Sequence, residues 1–396
     1  MSTATAAKGG TKVAGAGLEG ISAGETAIAS VLQDKLIYRG YEIHDLAENA
    51  TFEEVAFVLL VGHKPDAKEL QFFRDELVAN RALPGPVVEY IRSMKPALAT
   101  GSAVPMDVVR TAVSLLGNLD ADSQDNSPEA NLRKSKRLLA KVPTIIGHMQ
   151  NVIDGREIVG VQTGGDAKLS HAANLLYLLS GEKPSAEFTR VMDVSLILYA
   201  EHDFNASTFT GRVIAATLSD MHGAVTGAIA ALKGPLHGGA NEAAMDMLRE
   251  IMRDVGEANR QSAMVDEWME RAFVEKRKLM GFGHRVYKNG DHRAPILHAL
   301  GRKLAEKERT QFVKWFELGE RVQKIMLDKK QIHPNVDFPC GLTYFTMGIP
   351  VPQYTPIFVA SRMSGWCAHI MEQHANNRLI RPVAAYTGPG IRPWKG

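Results

Sequence analysis

The sequence contains only two cysteines, Cys340 and Cys367, and no Cys-x-x-Cys spacing. This scarcity argues against a disulfide framework or a thiolate zinc site, and it fits a reducing cytoplasm. Long apolar runs are also missing, because FVLLVG and SLILYA are much too short to span a bilayer. We therefore predict a cytoplasmic protein that has no membrane partner.

An excess of charge of either sign is absent as well. The chain carries 46 basic and 44 acidic side chains, which gives a formal net charge of +2. Such a chain has no broad basic field of the kind that nucleic-acid binding requires, so we predict no nucleic-acid partner. Any anionic ligand must then be held locally by a few arginines and lysines.

The chain is long enough for more than one domain. Its 396 residues exceed the usual size of a single hydrophobic core. The first residues are small, polar and rich in glycine, and they predict a flexible tail over 1–18. A more charged helical block follows KGPLHGGAN and extends to IHPNVDFPCGL. We predict a small domain over 236–345, and a large domain that is formed by 19–235 and by 346–396, which includes a C-terminal tail.

The spacing of the apolar residues predicts a mainly α-helical fold, because they recur at intervals of three and four. Thr51 and Glu54 form a capping-box pattern at the start of one helix, which should end at Gly62. Strand-like alternation is scarce. LQDKLIYRG at 32–40 and PVAAYTG at 382–388 are the best candidates.

A histidine lies on a glycine turn in GPLHGGANEA, at 234–243. Gly238 and Gly239 permit a tight turn, and Asn241 is a good N-cap for the helix that follows. His237 therefore precedes a helix N-terminus, whose positive end favours the neutral imidazole. The pattern fits either a structural turn or a neutral histidine that donates a hydrogen bond to a carbonyl.

Two further segments carry ionisable residues on turns. In GFGHRVYKNGDHR, His284 lies among the basic residues Arg285, Lys288 and Arg293, which suits a ligand with carboxylates or phosphates but also a solvated loop. In HPNVDF, Asp337 could be either a helix cap or a general base.

These segments together favour a site at the rim of a cleft. Two histidines, one aspartate and several arginines flank a single helical block, which suits acid/base chemistry on a polycarboxylate. A metal site in which His202 of the EHD segment joins His237, His284 and Asp337 is the alternative. A close ligand spacing such as HExxH is absent, so we predict no metal.

Six motifs then match one family in order and at the family's distances. They are EHDFNAST, GPLHGGANE, GFGHRVYK, NVDF, TPIFVASRMSGW and AHIMEQHANNRLIRP. Over nearly its whole length the chain resembles citrate synthase in its shorter bacterial and archaeal form. The resemblance implies a large and a small helical domain that close over the substrate. It also implies a homodimer, in which Arg381 of LIRP reaches the neighbouring subunit's site.

The resemblance further implies an activity. Acetyl-CoA would condense with oxaloacetate to citryl-CoA, whose hydrolysis gives citrate and CoA, with acetyl-CoA as a substrate and no tightly bound cofactor. Asp337 matches the family's base for the acetyl methyl group. His237 matches the donor to the thioester oxygen, and His284 matches the residue that protonates the keto oxygen of oxaloacetate.

The resemblance also implies ligands for both substrates. His202, Arg293 and Arg362 match residues that bind oxaloacetate in the family. Lys288 and Lys330 fall where basic side chains meet the phosphates of CoA in relatives.

Three departures from the family pattern are visible. His292 stands where the family more often has proline, Pro339-Cys340 replaces an aromatic-serine pair, and Val383 replaces an arginine. Three other functions stay open beside citrate synthesis. They are 2-methylcitrate synthesis from propionyl-CoA, a non-catalytic binding or scaffold protein that keeps the fold, and a metalloenzyme that uses the histidines and the aspartate.

Overall fold

The computed structural model of the chain describes residues 16–18, 21–32, 35–160 and 162–394. Most of the predicted tail over 1–18 lies outside the described residues. The exception is Ala16–Leu18, which forms a short 3-10 turn. Helices dominate the described part, which confirms the prediction of a mainly α-helical fold.

The described residues form seventeen α-helices. In chain order they are α1 Ile43–Asn49, α2 Phe52–Val61, α3 Ala67–Ala79, α4 Gly85–Ser93, α5 Lys95–Ala99, α6 Pro105–Leu119, α7 Pro128–Ile153, α8 His171–Ser180, α9 Ala186–Tyr199, α10 Ala206–Ala215, α11 Met221–Leu232, α12 Ala240–Val255, α13 Ala263–Val274, α14 Arg293–Glu308, α15 Val313–Lys330, α16 Asp337–Thr346 and α17 Tyr354–Ala375. Within the described ranges, no helix is both long enough and apolar enough to cross a membrane.

One small antiparallel sheet lies near the start of the chain. Its strands are β1 Ala29–Val31, β2 Leu36–Tyr38 and β3 Tyr41–Glu42, in that spatial order. The strand expected within 32–40 is confirmed as β2. The prediction of a strand at 382–388 is wrong, because that segment pairs with no strand of the described chain and is exposed to solvent. Alternation of side chains alone does not make a strand without a partner to complete the hydrogen bonds.

The helix ends follow their local signals where the capping residues are unambiguous. Glu54 Oε2 accepts from the Thr51 backbone N–H at 2.7 Å, and Thr51 Oγ1 accepts from the N–H of Glu54 at 3.4 Å. Gly62 ends α2 in the left-handed conformation, with φ of 101°. The predicted capping box and glycine stop are therefore confirmed.

The start of α12 differs from the prediction. Gly239 is the N-cap, and its carbonyl already accepts from the N–H of Ala243 at 3.2 Å. The double-glycine turn thus brings the chain into helical geometry before Asn241. The Asn241 side chain instead accepts from the N–H of Glu242 at 2.8 Å, so the prediction that Asn241 is the N-cap is wrong.

Helix α17 lies at the centre of the fold, because nearly all of its residues are buried. It packs against α2, α7, α9, α10 and α11. Helices α12 to α16 pack mainly on one another, and α14 also contacts α9. The domain boundaries at 235 and 345 stay a prediction.

Candidate active site

Two arginines donate hydrogen bonds to carbonyl groups at the C-terminal end of α9. Arg362 donates from Nε to the carbonyl of Tyr199 at 2.7 Å, and Arg293 donates from Nη1 to the carbonyl of Leu198 at 3.4 Å. The Tyr38 hydroxyl donates to the carbonyl of Glu201 at 2.9 Å. The last carbonyls of a helix lack partners within the helix and form its negative end, which attracts cations. The end of α9 therefore holds both guanidinium groups in one place.

Arg293 is also held by a two-pronged ion pair. Its Nε and Nη2 donate to the two oxygens of Asp291 at 2.9 and 2.8 Å, and both side chains are buried. Asp291 in turn accepts from the backbone N–H of Val336 at 3.0 Å. Burial alone would lower the pKa of Arg293, but the Asp291 carboxylate raises it. This geometry fixes Arg293 although His292 stands where the family more often has proline.

Several polar atoms beside the arginines are buried and have no hydrogen-bond partner among the described residues. They include Nη1 of Arg362 and Nε2 of His202. Burial lowers the pKa of both side chains, and Arg293 adds to the effect on His202. Buried polar atoms are normally satisfied, and a guanidinium pairs best with carboxylate oxygens. The site therefore suits a ligand that carries carboxylates.

The ring of His284 lies next to that of His202, with 5.0 Å between their centroids. Nδ1 of His284 accepts from the backbone N–H groups of Val286 and Tyr287, at 3.1 and 3.2 Å. Burial, aided by Arg293, lowers the pKa of His284 to about 4. The neutral ring therefore carries its proton on Nε2, from which it can donate.

His237 is neutral for a similar reason. Its Nε2 lies 3.3 Å from the backbone N–H of Ser207 and 2.8 Å from the Ser207 hydroxyl. A backbone N–H can only donate, so Nε2 accepts and the ring proton lies on Nδ1. Burial lowers the pKa of His237 to about 4, and Arg362 adds to this. The neutral imidazole expected from the helix N-terminus thus follows mainly from burial.

Asp337 is the first residue of α16, whose N-cap is Val336. The hydroxyl of Tyr199 donates to Oδ1 of Asp337 at 2.7 Å. Burial raises the pKa of Asp337 to about 6, although the hydrogen bond from Tyr199 lowers it. A carboxylate with this pKa is ionised at neutral pH and can still take up a proton, as a general base must. The helix-cap alternative does not hold, since Val336 has that position.

Two aromatic residues that the sequence did not single out connect these groups. The ring of Tyr199 lies 4.4 Å from that of Phe358. Phe358 lies 6.5 Å from the His237 ring and 4.9 Å from the guanidinium of Arg362. The only sequence signal for Tyr199 is its place at the end of the apolar run before EHD. Phe358 gives no signal of its own within the apolar helix α17.

The remaining predicted residues lie at the edge of this cluster or beyond it. Lys288 is exposed and lines a cavity of about 240 Å³ together with His284. The ammonium of Lys330 lies 4.3 Å from the ring centre of Phe273. Arg381 lies in the exposed segment that follows α17.

Metal ligands are not gathered in this site. Nowhere in the described ranges do three His, Cys, Asp or Glu side chains come together in a way that could hold a metal ion. The alternative of a metal site that includes His202 therefore has no support from the described residues.

Comparison with known families agrees with this geometry. The family description "Citrate synthase, C-terminal domain" matches residues 17–383. The chain belongs to the citrate synthase family.

Individual members of the citrate synthase family match over almost the whole chain. Citrate synthase 2 of Bacillus subtilis is 44% identical over 373 residues, which are 94% of this chain and 95% of that protein. The 2-methylcitrate synthase of Shewanella oneidensis is 45% identical over 383 residues, which are 96% of each chain. A Thermoplasma acidophilum citrate synthase, solved with carboxymethyl coenzyme A and oxaloacetate, has a TM-score of 0.86 and 31% identity, and the match covers 96% of this chain and 97% of that one. The chain is thus a transferase that condenses an acyl-CoA with oxaloacetate.

Tyr199 offers a first test of the site in this citrate synthase family member. Replacing Tyr199 by Phe removes the hydrogen bond that lowers the pKa of Asp337. The carboxyl group should then stay protonated up to a higher pH. We therefore expect an acidic limb of kcat/KM near pH 6 in the unchanged protein, and the same limb at a higher pH in Tyr199→Phe. The pH dependence of CoA release measures this shift.

A Tyr344→Phe variant is the matched control. Tyr344 is also a buried tyrosine. Its hydroxyl lies 2.8 Å from that of Ser195, whereas the hydroxyl of Tyr199 donates to Asp337. An acidic limb that stays in place in Tyr199→Phe, or that moves equally in Tyr344→Phe, would contradict the role given to Tyr199.

Proposed function

We propose that this chain condenses acetyl-CoA with oxaloacetate and hydrolyses citryl-CoA, which releases citrate and CoA. One observation carries the proposal: a carboxylate, two histidines and two buried arginines lie around the end of α9, in contact with that end or with Phe358 and His202 beside it. The carboxylate is Asp337, and the histidines are His237 and His284.

The first step is the formation of an enol from the thioester. The methyl group of a thioester is a very weak acid, so a carboxylate can remove a proton only if the charge that develops on the thioester oxygen is stabilised. Asp337 removes the proton, and the electron pair moves toward that oxygen. His237 donates to the oxygen from Nδ1.

The second step forms the carbon–carbon bond. The enol carbon attacks the keto carbon of oxaloacetate, the thioester carbonyl re-forms, and the keto oxygen gains the proton of Nε2 of His284. The proton that Asp337 took from the methyl group balances the one that His284 gives, so both side chains return to their starting states. Nη1 of Arg362 and Nε2 of His202, which have no partner among the described residues, bind carboxylate oxygens of oxaloacetate. Arg293, whose Nε and Nη2 are held by Asp291, adds its positive charge beside them.

Closure of the two predicted domains over the substrates would control water during the final hydrolysis. The position of the site at the predicted boundary supports this. Tyr199 and Arg362 belong to the segments assigned to the large domain, whereas Asp337 and Arg293 belong to the segment 236–345 assigned to the small one.

Coenzyme A would enter as part of the acyl substrate, with no tightly bound cofactor. Lys288 and Lys330 would meet its phosphates. The cavity that Lys288 and His284 share supports this for Lys288, because a thioester near His284 could extend through it.

The second candidate is 2-methylcitrate synthesis from propionyl-CoA. The Shewanella oneidensis relative of that name, at 45% identity, favours it as much as the Bacillus subtilis relative favours citrate synthesis. The substrates differ by one methylene, which a pocket distinguishes by about 1–3 kcal/mol. Pro339 and Cys340, which follow the base in α16, are the nearest departures from the family pattern along the chain.

The deciding experiment compares CoA release from acetyl-CoA and from propionyl-CoA, each with and without oxaloacetate. We expect release that requires oxaloacetate and has the higher kcat/KM with acetyl-CoA. A higher kcat/KM with propionyl-CoA would instead establish 2-methylcitrate synthesis. No release from either thioester would contradict the proposed function and favour a binding protein that keeps the fold.

We further propose a homodimer in which Arg381 completes the neighbouring subunit's oxaloacetate site. Arg381 lies in an exposed segment whose large apolar side chains, Leu379, Val383 and Tyr386, are also exposed. A second copy of the chain would cover such a surface.

Mixed dimers test the shared site. Arg381→Ala should raise the KM for oxaloacetate, and Asp337→Asn should abolish turnover. When the two variants are expressed together, one site of each mixed dimer has both residues intact. At an oxaloacetate concentration well below the raised KM, activity should therefore return above that of either parent. Mixed dimers without this recovery, or a monomer by light scattering, would contradict the proposal.

A further inference from the structure

One face of helix α17 packs along the end of α9, and the contacts between them recur at intervals along that face. The Ser361 hydroxyl donates to the carbonyl of Leu196, and one residue later Arg362 donates to the carbonyl of Tyr199. At Gly365 the two segments touch so closely that any side chain would overlap the Glu201 carboxylate. The next contact on this face is His369, two turns after Arg362.

His369 holds the Glu201 carboxylate, which is fully buried and directly precedes His202. Nε2 of His369 lies 2.9 Å from Oε1 of Glu201, and Nδ1 lies 3.1 Å from Nη1 of Arg212. A guanidinium can only donate, so Nδ1 accepts and Nε2 donates to Glu201. Arg212 thereby fixes the ring of His369 in the orientation in which Nε2 donates to Glu201.

Arg212 is itself anchored from the other side. It donates to Glu372 at 2.6 Å, and its guanidinium lies 4.6 Å from the ring centre of Phe204. Glu372 also accepts from the backbone N–H of Ala27 at 2.8 Å. A chain of polar contacts therefore runs from the half-buried Glu372 through Arg212 and His369 to Glu201.

This chain ends beneath the oxaloacetate ligands. The negative charge of Glu201 raises the pKa of Arg362, which burial lowers. Nη1 of Arg362 has no partner among the described residues. A buried carboxylate is costly unless it is hydrogen-bonded. His369 supplies the bond to Oε1 of Glu201, whereas Oε2 has no partner among the described residues. Nothing in the proposed chemistry uses His369, Arg212 or Glu372 directly.

We propose that His369 is a positioning residue for oxaloacetate: its Nε2–H holds Glu201, and the turn that Glu201 anchors places His202 and Arg362 for the ligand's carboxylates. The inference rests on the proposed function, because oxaloacetate is taken as the ligand. It assigns to His369 an effect on oxaloacetate binding rather than on the chemical steps.

Variants of His369 that differ in reach test this. Glutamine can donate to Glu201 and accept from Arg212, whereas the amide of asparagine is one carbon shorter and phenylalanine cannot donate. In His369→Asn and His369→Phe we expect the KM for oxaloacetate to rise about tenfold or more, as for a lost hydrogen bond to a charged group, while kcat falls by less than about threefold. His369→Gln should stay within about twofold of the unchanged protein in both constants.

A structural role alone would give a different result. A lower thermal midpoint with an unchanged KM for oxaloacetate in His369→Asn or His369→Phe would overturn the proposal, and so would an equal rise in His369→Gln. If neither variant folds, Glu201→Met replaces them, since methionine fills a similar volume but cannot accept the hydrogen bond from His369. Calorimetric titration with oxaloacetate should then show about tenfold weaker binding, and unchanged binding would overturn the proposal.

Failure of the proposed function would look different again. If the unchanged protein releases no CoA from either thioester, the enzymatic proposal fails. The titration with oxaloacetate still measures the effect of His369 on binding, because it requires no acyl-CoA.

Discussion

Replacing Asp337 by Asn should lower kcat for CoA release by about a thousandfold, because the variant has no group that can take the methyl proton. The substitution keeps the shape of the side chain, and the amide oxygen can still accept from Tyr199. Oxaloacetate should therefore bind almost as in the unchanged protein, since its proposed ligands are not altered. Steady-state kinetics and calorimetric titration with oxaloacetate measure the two effects separately.

Asp328→Asn is the matched control for this variant. Asp328 is exposed on α15 and pairs with Lys324 at 2.6 Å, so its loss should leave kcat within about twofold. Near-normal turnover in Asp337→Asn would mean that another group is the base. Loss of oxaloacetate binding in Asp337→Asn would mean that the carboxylate supports the site rather than acting in it.

Replacing His237 by Ala should lower kcat by about a hundredfold to a thousandfold, which is typical for the loss of one donor to a developing oxyanion. The expected loss of kcat is specific to the steps in which negative charge develops on the thioester oxygen. The KM for oxaloacetate should change little, because the proposed oxaloacetate ligands stay in place. Measuring kcat and both KM values distinguishes this result from general damage to the site.

His63→Ala is the control for that substitution. His63 is exposed, pairs with Glu69 at 3.0 Å and packs edge-on against Phe57, so activity should be retained. If His237→Ala keeps more than about a tenth of the turnover, the thioester oxygen is stabilised by another group.

The sequence predicts the parts of the fold that depend on neighbouring residues. Thr51 and Glu54 are three positions apart, and Gly62 ends its helix through its own backbone conformation, so the sequence alone contains the whole signal. The start of α12 differs from the prediction because the double-glycine turn competes with Asn241 for the cap. The strand expected at 382–388 failed because a strand depends on a partner that local alternation does not reveal.

The contacts that define the site join residues far apart in the chain. Tyr199 donates to Asp337 across 138 positions, and Ser207 reaches His237 across 30 positions. The family motifs name His237, His284 and Asp337, but they show neither the tautomers of the histidines nor the raised pKa of the base. Those properties arise from burial and from neighbours such as Arg362, which only the folded chain brings together.

The central claim is that a neutral His237 acts opposite a carboxylate base, and nitrogen NMR of labelled histidines tests it most directly. His237→Ala assigns the resonance, and the ring is then followed from about pH 5 to about pH 8. We predict one neutral form with its proton on Nδ1 throughout this range, because burial and Arg362 lower the pKa of His237 to about 4. Two results would contradict the claim. One is an imidazolium that titrates at the ordinary histidine pKa of about 6.5, and the other is a neutral ring protonated on Nε2.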